Sequence, residues 1–239
     1  MEWELHTGCL VSTVPRDCVD LHRGIFVMAD LRTAVVLDYQ NMHLSGAELY
    51  RSSPRKPLHE TLLDPTRFAN QLLSARNKVP GPNGGRAVLT RVEVFRGLPS
   101  NLHDVERYNR SQAQRANWQR DPRVTVGLRA VKMERVAATG PDRFRAFEKG
   151  VDVLCALALV RLAASPDIDL VILASHDSDL KPALDDAIDL GRARIETSAW
   201  SHPRVGISFR RLRPHAPRSV RHTRLTLDDF TAAHDPTVY

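Results

Sequence analysis

The run Val171–Leu180, VILASHDSDL, limits what this chain can fold into more tightly than any other stretch. Its apolar half, Val171–Ala174, is short, β-branched at the start and cut off by a polar stop, as expected of a buried strand. The DLKPALDDAIDL that follows reads as a helix, so the segment predicts a strand–turn–helix unit of an α/β fold. In open α/β sheets, ligands bind outside the carboxyl ends of the strands, where Asp177 and Asp179 fall. Two carboxylates that close repel unless a proton or a cation lies between them. The alternative is ordinary helix capping, with Ser178 as the N-cap and the acids favoured by the helix dipole.

Two further acidic positions bear on that choice. Thr33–Leu37, TAVVL, is a second apolar run that ends in an aspartate, Asp38, followed by YQN with Asn41. The stretch Phe147–Ala164 has helical spacing, with Phe147, Val151, Leu154, Cys155, Ala158 and Leu162 on one face. Asp152 lies beside that face, and burying an unpaired carboxylate is costly, so it needs a partner. Lys149 could supply it as a helix pair.

The order and spacing of LDYQN at 37–41, KGVD at 149–152 and SHDSDL at 175–180 resemble the NYN domain, a branch of the PIN-like nuclease superfamily. That family shows an apolar strand ending D-x-x-N, a K-G-V/T-D helix start and a strand ending S-G-D-S-D-F. The similarity covers residues 33–199. It implies a Rossmann-like three-layer α/β sandwich with a mainly parallel central sheet, an acidic pocket for Mg²⁺ or Mn²⁺, and hydrolysis of RNA phosphodiesters. Position by position it implies Asp38, Asp152, Asp177 and Asp179 as catalytic, metal-binding acids. Asn41 would orient the first acid or the phosphate, Ser175 would support the pocket, and Lys149 would face substrate or hold Asp152. The chain departs from the pattern at His176, where the family has glycine, and at Leu180, where it has an aromatic. Glycine there permits close backbone approach or positive φ, so His176 bears on pocket geometry and on rate. His176 either touches phosphate or metal, or faces solvent.

The residue types suit that chemistry. Oxygen-only ligand sets favour Mg²⁺ and Mn²⁺, and such ions polarise phosphates and acidify water. Cys9, Cys18 and Cys155 lack C-x-x-C spacing, which argues against a zinc site. The histidines form no H-E-x-x-H, and neither G-x-S-x-G nor a P-loop occurs. Asn83-Gly84-Gly85 precedes a strand and reads as a turn. A haloacid-dehalogenase-type phosphatase would want an acid where Gln40 stands.

At 239 residues, with 42% hydrophobic and 26% charged, the chain has the make-up of an ordinary globular protein. No run approaches the roughly 20 apolar residues of a membrane span. The start, MEWELHTGCL, lacks a basic region followed by an apolar core, and the cysteines form no disulfide framework, so a cytoplasmic location is expected. The net charge of +6 is uneven. Residues 192–224 hold nine arginines against Glu196, and residues 107–135 hold eight basic residues against Asp121 and Glu134. The remainder is acidic. An abundance of Arg over Lys (29 to five) could be codon bias, but bias does not cluster charge. The two basic segments are therefore the expected RNA contacts, flanking a pocket that would otherwise repel a polyanion.

Strands and helices alternate: a helix near Pro65–Ala75 capped by Asp64, a strand at Arg86–Phe95, a polar helix at Asn101–Trp118 and a strand at Arg123–Val131. Tyr108 and Trp118 sit among arginines, where they could stack bases, although Trp118 also fits a core anchor. The expected organisation is an N-terminal extension over 1–30, a domain over 31–200 and an Arg-rich extension over 201–239. In the last, Val205–Phe209 is a possible edge strand and His215–Tyr239 a partly ordered tail. Met28 is an alternative start. The expected function is a metal-dependent ribonuclease acting as an endonuclease. The alternative is a catalytically weak RNA-binding regulatory module of the same fold.

Overall fold

Strand β1 (Leu31–Asp38) lies at the centre of the sheet, with Thr33–Leu37 wholly shielded from solvent. That follows from TAVVL, because a strand covered on both faces needs near-continuous apolar character rather than alternation. The computed structural model describes residues 29–50, 56–79, 84–136, 143–147, 149–201 and 211–239, with the backbone alone over 133–136 and 143–147. After β1 come α1 (Tyr39–Leu49), α2 (Pro65–Lys78), β2 (Ala87–Leu98), α3 (Val105–Trp118) and β3 (Val124–Ala130). An antiparallel hairpin of β4 (Lys132–Val136) and β5 (Arg143–Phe147) leads into α4 (Val151–Ala163) and β6 (Leu170–Ala174). The order closes with α5 (Lys181–Asp189), β7 (Arg194–Trp200), β8 (Arg221–Leu225) and α6 (Leu227–Ala232).

The central sheet has six strands in the order β3-β2-β1-β6-β7-β8, and each neighbouring pair is parallel. This is the doubly wound Rossmann-like architecture expected from the sequence. The chain first steps outward from β1 to β2 and β3, then returns to start again at β6 on the other side. One handedness of crossover then demands helices on opposite faces for the two halves. The core divides accordingly. Val35 and Leu37 point to Tyr39 and Met42 of α1, Phe68 and Leu72 of α2, and Trp200. Ala34 and Val36 point to Cys155, Leu159 and Leu162 of α4 and Leu184 of α5. The strand order reverses between β1 and β6, and at such a switch point the loops diverge and leave a crevice.

Four expectations need correction. The polar, proline-bearing stretch Ser45–Leu58, whose composition predicts a connection after the first strand, belongs partly to α1, which runs to Leu49. The helix expected from Phe147 begins only at Val151: Phe147 ends β5, and Gly150, at φ 85°, breaks any helix that would continue through it. Helix α3 begins at Val105, capped by Asp104.

The largest correction concerns the C-terminus. Residues 215–239 are not a loose tail: β8 extends the sheet, and α6 packs against its core. Phe230 of α6 lies edge-on to Trp200 with ring centroids 5.3 Å apart. A Cβ on Gly46 would come within 2.5 Å of the Phe230 ring, so a glycine in α1 is what admits this packing. Asp235 accepts hydrogen bonds from Trp118 Nε1 and Tyr239 Oη, both at 2.7 Å, fixing the last residues to α3. Trp118 is thus a core anchor. The possible strand Val205–Phe209, Cys9, Cys18 and the 1–28 part of the N-terminal extension lie outside the described residues.

Candidate functional site

Three aspartates end loops or strands just before helices, and comparing them separates capping from function. Asp64 and Asp104 cap α2 and α3 by accepting from Arg67 N at 2.8 Å and Arg107 N at 3.1 Å. Asp38 takes the same place before α1, but its Oδ1 is 3.4 Å from Asn41 N. At that length the bond is weak, and capping does not account for sinking this carboxylate to 6% exposure.

What holds Asp38 is the end of β6. Ser175, fully buried, donates from Oγ to Asp38 Oδ2 at 3.0 Å and accepts from Asp177 N at 3.1 Å on the same oxygen. Asn41 Oδ1 accepts from His176 N at 3.1 Å, which stitches α1 to the loop after β6. These bonds span the β1/β6 crevice and fix Asp38, Asn41 and Ser175 as one unit. Burial raises the Asp38 carboxyl to about 6. The Ser175 hydroxyl and the Asn41 N–H oppose that rise, while the neighbouring charges of Asp177 and Asp152 add to it. His176 is half-buried, and burial lowers its imidazole below the ordinary value against the pull of Asp177.

The crevice opens into a cleft of about 550 Å³. Asp38, Asp152 and Asp177 line it together with Asn41, Lys149 and His176. Ser175, fully buried, bonds Asp38 and Asp177, which line it. Asp152 enters from the first turn of α4, where the helix dipole favours an acid. Gly150 makes that approach possible, since its left-handed backbone turns the chain sharply into the helix. Lys149 precedes this cap, so it cannot form the expected in-helix pair with Asp152; it lines the cleft instead.

Two site expectations change. The residue that caps the turn after β6 is Asp177 rather than Ser178: its Oδ1 accepts from Asp179 N at 3.0 Å. Asp179 is exposed and is not among the residues that line the cleft, because the short turn at Ser178–Leu180 carries it away from the crevice. The D-x-D spacing therefore delivers one acid to the cleft, not two. Gln40, passed over as a functional residue, lines the cleft and accepts from Gly97 N at 2.8 Å, tying the α1 start to β2. Only its neighbours Asp38 and Asn41 in D-x-x-N signal it.

The donor chemistry fits an oxygen-preferring divalent ion: three carboxylates line one cleft, and one is destabilised as an anion. Among the described residues, however, no three His, Cys, Asp or Glu side chains are grouped as a ready ligand set. Mg²⁺ keeps several waters and needs only one or two carboxylates, so a preformed cage is not required of this site.

Some of the described arginines of the basic segment 192–224 are tied down by the fold. Arg218 pairs with Asp189, Arg211 donates to Val220 O, and Arg221 donates to Arg76 O and Val79 O at the end of α2. No helix among the described residues is long and apolar enough to cross a membrane.

No protein-family model matches the chain, and neither does any curated protein. Among solved structures it is similar to the crystal structure of a protein of unknown function, VPA0982, from Vibrio parahaemolyticus. The identity is 18%, the TM-score is 0.42, and the match covers 71% of this chain and 81% of that one.

Proposed function

We propose that the cleft hydrolyses RNA phosphodiester bonds with a divalent cation, in the manner of the NYN nucleases that the motifs resemble. One observation carries the reading. Asp38, Asp152 and Asp177, from three distant parts of the sequence, line a single cleft at the switch point of the sheet. Asp38, in particular, is buried at a cost that no cap explains. Mg²⁺ or Mn²⁺ held there supplies electrophilic stabilisation of the phosphate and lowers the pKa of water.

The protein's own groups do the rest. Asp38, kept in place by Ser175, accepts a proton or neutralises a cation. Asn41 spends Oδ1 on His176 N, so its amide N–H groups are what it offers a phosphate oxygen. Lys149 and His176 both line the cleft, and Lys149 brings the positive charge that a phosphate needs there. Asp179 is not assigned a ligand role.

A second reading has its own support: His176, which stands where the NYN motif has glycine, lines the cleft and suits a catalytically weak RNA-binding module. Incubating a labelled single-stranded RNA with the protein and Mn²⁺ or Mg²⁺, beside EDTA and Asp38→Asn controls, separates the two. Metal-dependent cutting that the variant loses by about a hundredfold or more is expected. Intact RNA, bound in a salt-sensitive way, would hand the site to the binding module.

A further inference from the structure

The basic segment 107–135 divides between two faces of the sheet. On α3, Arg107, Arg110 and Arg115 pair locally with Asp104, Glu106 and Gln119. Of the other arginines, Arg120 and Arg123 precede β3, Arg129 lies on it and Arg135 belongs to β4; Val124 and Val126 of β3 point into the core shared with α1 and α2. Alternation along the strand therefore turns Thr125, Gly127 and Arg129 to the opposite, α4 face. Helix α4 packs on β1, β2 and β6, while Thr125 and Arg129 on edge strand β3 remain exposed.

Each end of this open strip is positively charged. At one end a cleft of about 440 Å³ is lined by Arg91, Arg123 and Arg161 with Thr90, Thr125 and Glu93. Glu93 is buried and accepts from Arg161 at 2.5 Å, with Arg91 at 3.8 Å. Asp121 holds Arg123 through contacts of 2.7 and 3.0 Å. The three arginine side chains nonetheless stay 49%, 40% and 59% exposed. The acids thus fix the guanidinium heads while the unused N–H donors face open space, and three cations outweigh two carboxylates. At the other end, Arg129 Nε lies 3.5 Å from where a Cβ on Gly150 would stand. Gly150 and Lys149 in turn line the acidic cleft. From Thr125 to Arg129 the strand rises about 13 Å at about 3.3 Å per residue, a distance covered by a few successive phosphates.

We infer that this strip is a track for a single-stranded polynucleotide, running from the acidic cleft past Lys149 and Arg129 and over β3 to the Arg91/Arg123/Arg161 cleft. The inference rests on reading the acidic cleft as a phosphodiester site and adds where the rest of the strand goes. Held guanidiniums present forked donors to phosphate oxygens without paying much ordering entropy on contact. Two cationic stations on one open face, with the small Thr125 and Gly127 between them, suit an extended polyanion rather than a single small anion.

Binding of labelled single-stranded RNAs, from dinucleotide to dodecamer, is measured by fluorescence anisotropy in EDTA. The proteins are wild type, Arg91→Gln/Arg161→Gln and Thr125→Glu. Affinity rises with length, and both variants leave the dinucleotide unchanged while weakening the dodecamer by roughly tenfold or more. Two lost phosphate contacts lower the salt slope of the double variant by about 1.4, at about 0.7 each. Thr125→Glu leaves the Glu93 and Asp121 ion pairs intact, so the test survives misfolding of the double variant. Equal dodecamer binding by wild type and Thr125→Glu overturns the track, as does affinity that does not grow with length. Inorganic pyrophosphate competing as well as the dodecamer would also overturn it, by assigning the arginine cleft to a free phosphate. Cleavage is read separately with Mn²⁺ on the same RNAs. Length-dependent, variant-sensitive binding without cleavage sinks the nuclease reading alone; cleavage with unaltered variant binding sinks the track alone.

Discussion

Two buried carboxylates in neighbouring parts of the sheet are treated in opposite ways. Glu196 of β7 is 1% exposed and clamped by Arg76 of α2 at 2.8 and 3.1 Å, with Arg221 of β8 3.9 Å away. Asp38 at the end of β1 is 6% exposed and has a hydroxyl and one long backbone contact, while two further aspartates press on it. Folds bury charge when a partner is supplied with it, and Glu196 shows that this one can do so. Asp38 therefore marks the place where the fold carries an unbalanced charge, as sites of chemistry do.

The largest test of that contrast is Arg76→Ala. It strands Glu196 in the core, and stability should fall by about 3–5 kcal/mol in denaturant titration. A loss below about 1 kcal/mol would mean that Glu196 is no better paired than Asp38.

Asp38→Asn should act in the opposite direction and depend on pH. The folded carboxyl titrates at about 6, above its ordinary value of 3.8, so the native state holds the proton more tightly than the unfolded chain. That contribution is fully present below about pH 4 and is lost as pH rises through about 6. Two units at about 1.36 kcal/mol each amount to about 3 kcal/mol. The variant should exceed wild type by up to that amount above pH 7, and the advantage should vanish near pH 4. A stability difference that does not move with pH would remove Asp38 from the set of strained groups.

The smallest effect sharpens the role of Asp177, which both caps the turn after β6 and presses on Asp38. Asp177→Asn keeps an acceptor for Asp179 N and removes the charge, so it should be neutral or stabilising. Asp177→Ala loses the cap as well and should be about 1 kcal/mol less stable than the Asn variant. Equal melting temperatures for the two would show that the cap contributes nothing.

The sequence made the inner half of the molecule legible and the outer half hard to read. Strands β1 and β6 are covered on both faces, so TAVVL and VILA carry an undiluted apolar signal that stops where the sheet stops. The positions of Asp38, Ser175 and Asp177 follow from that stop. Edge strand β8 reads RHTRL: Arg221, Thr223 and Leu225 share its inner face and only Leu225 is apolar, so its sequence resembles a solvated tail. Phe147 fell on the helical period of α4 by coincidence, and the positive φ of Gly150 overrules the period. Asp179 was misplaced for a related reason: a two-residue spacing means one face in a strand, whereas here the residues lie in a tight turn. Basic clustering was visible in the sequence, but which arginines the fold consumes depends on acids far away in the chain. Asp189 holds Arg218 in this way.

The most direct measurement is the melting temperature of wild type and Asp38→Asn at neutral pH, with and without Mg²⁺ or Mn²⁺. An ion that relieves the charge at Asp38 stabilises the native state by about 2.7 kcal/mol at about a hundred times its dissociation constant. The account predicts a saturable rise for wild type and little or none for Asp38→Asn. Equal shifts in both proteins, or no shift in either, would contradict it.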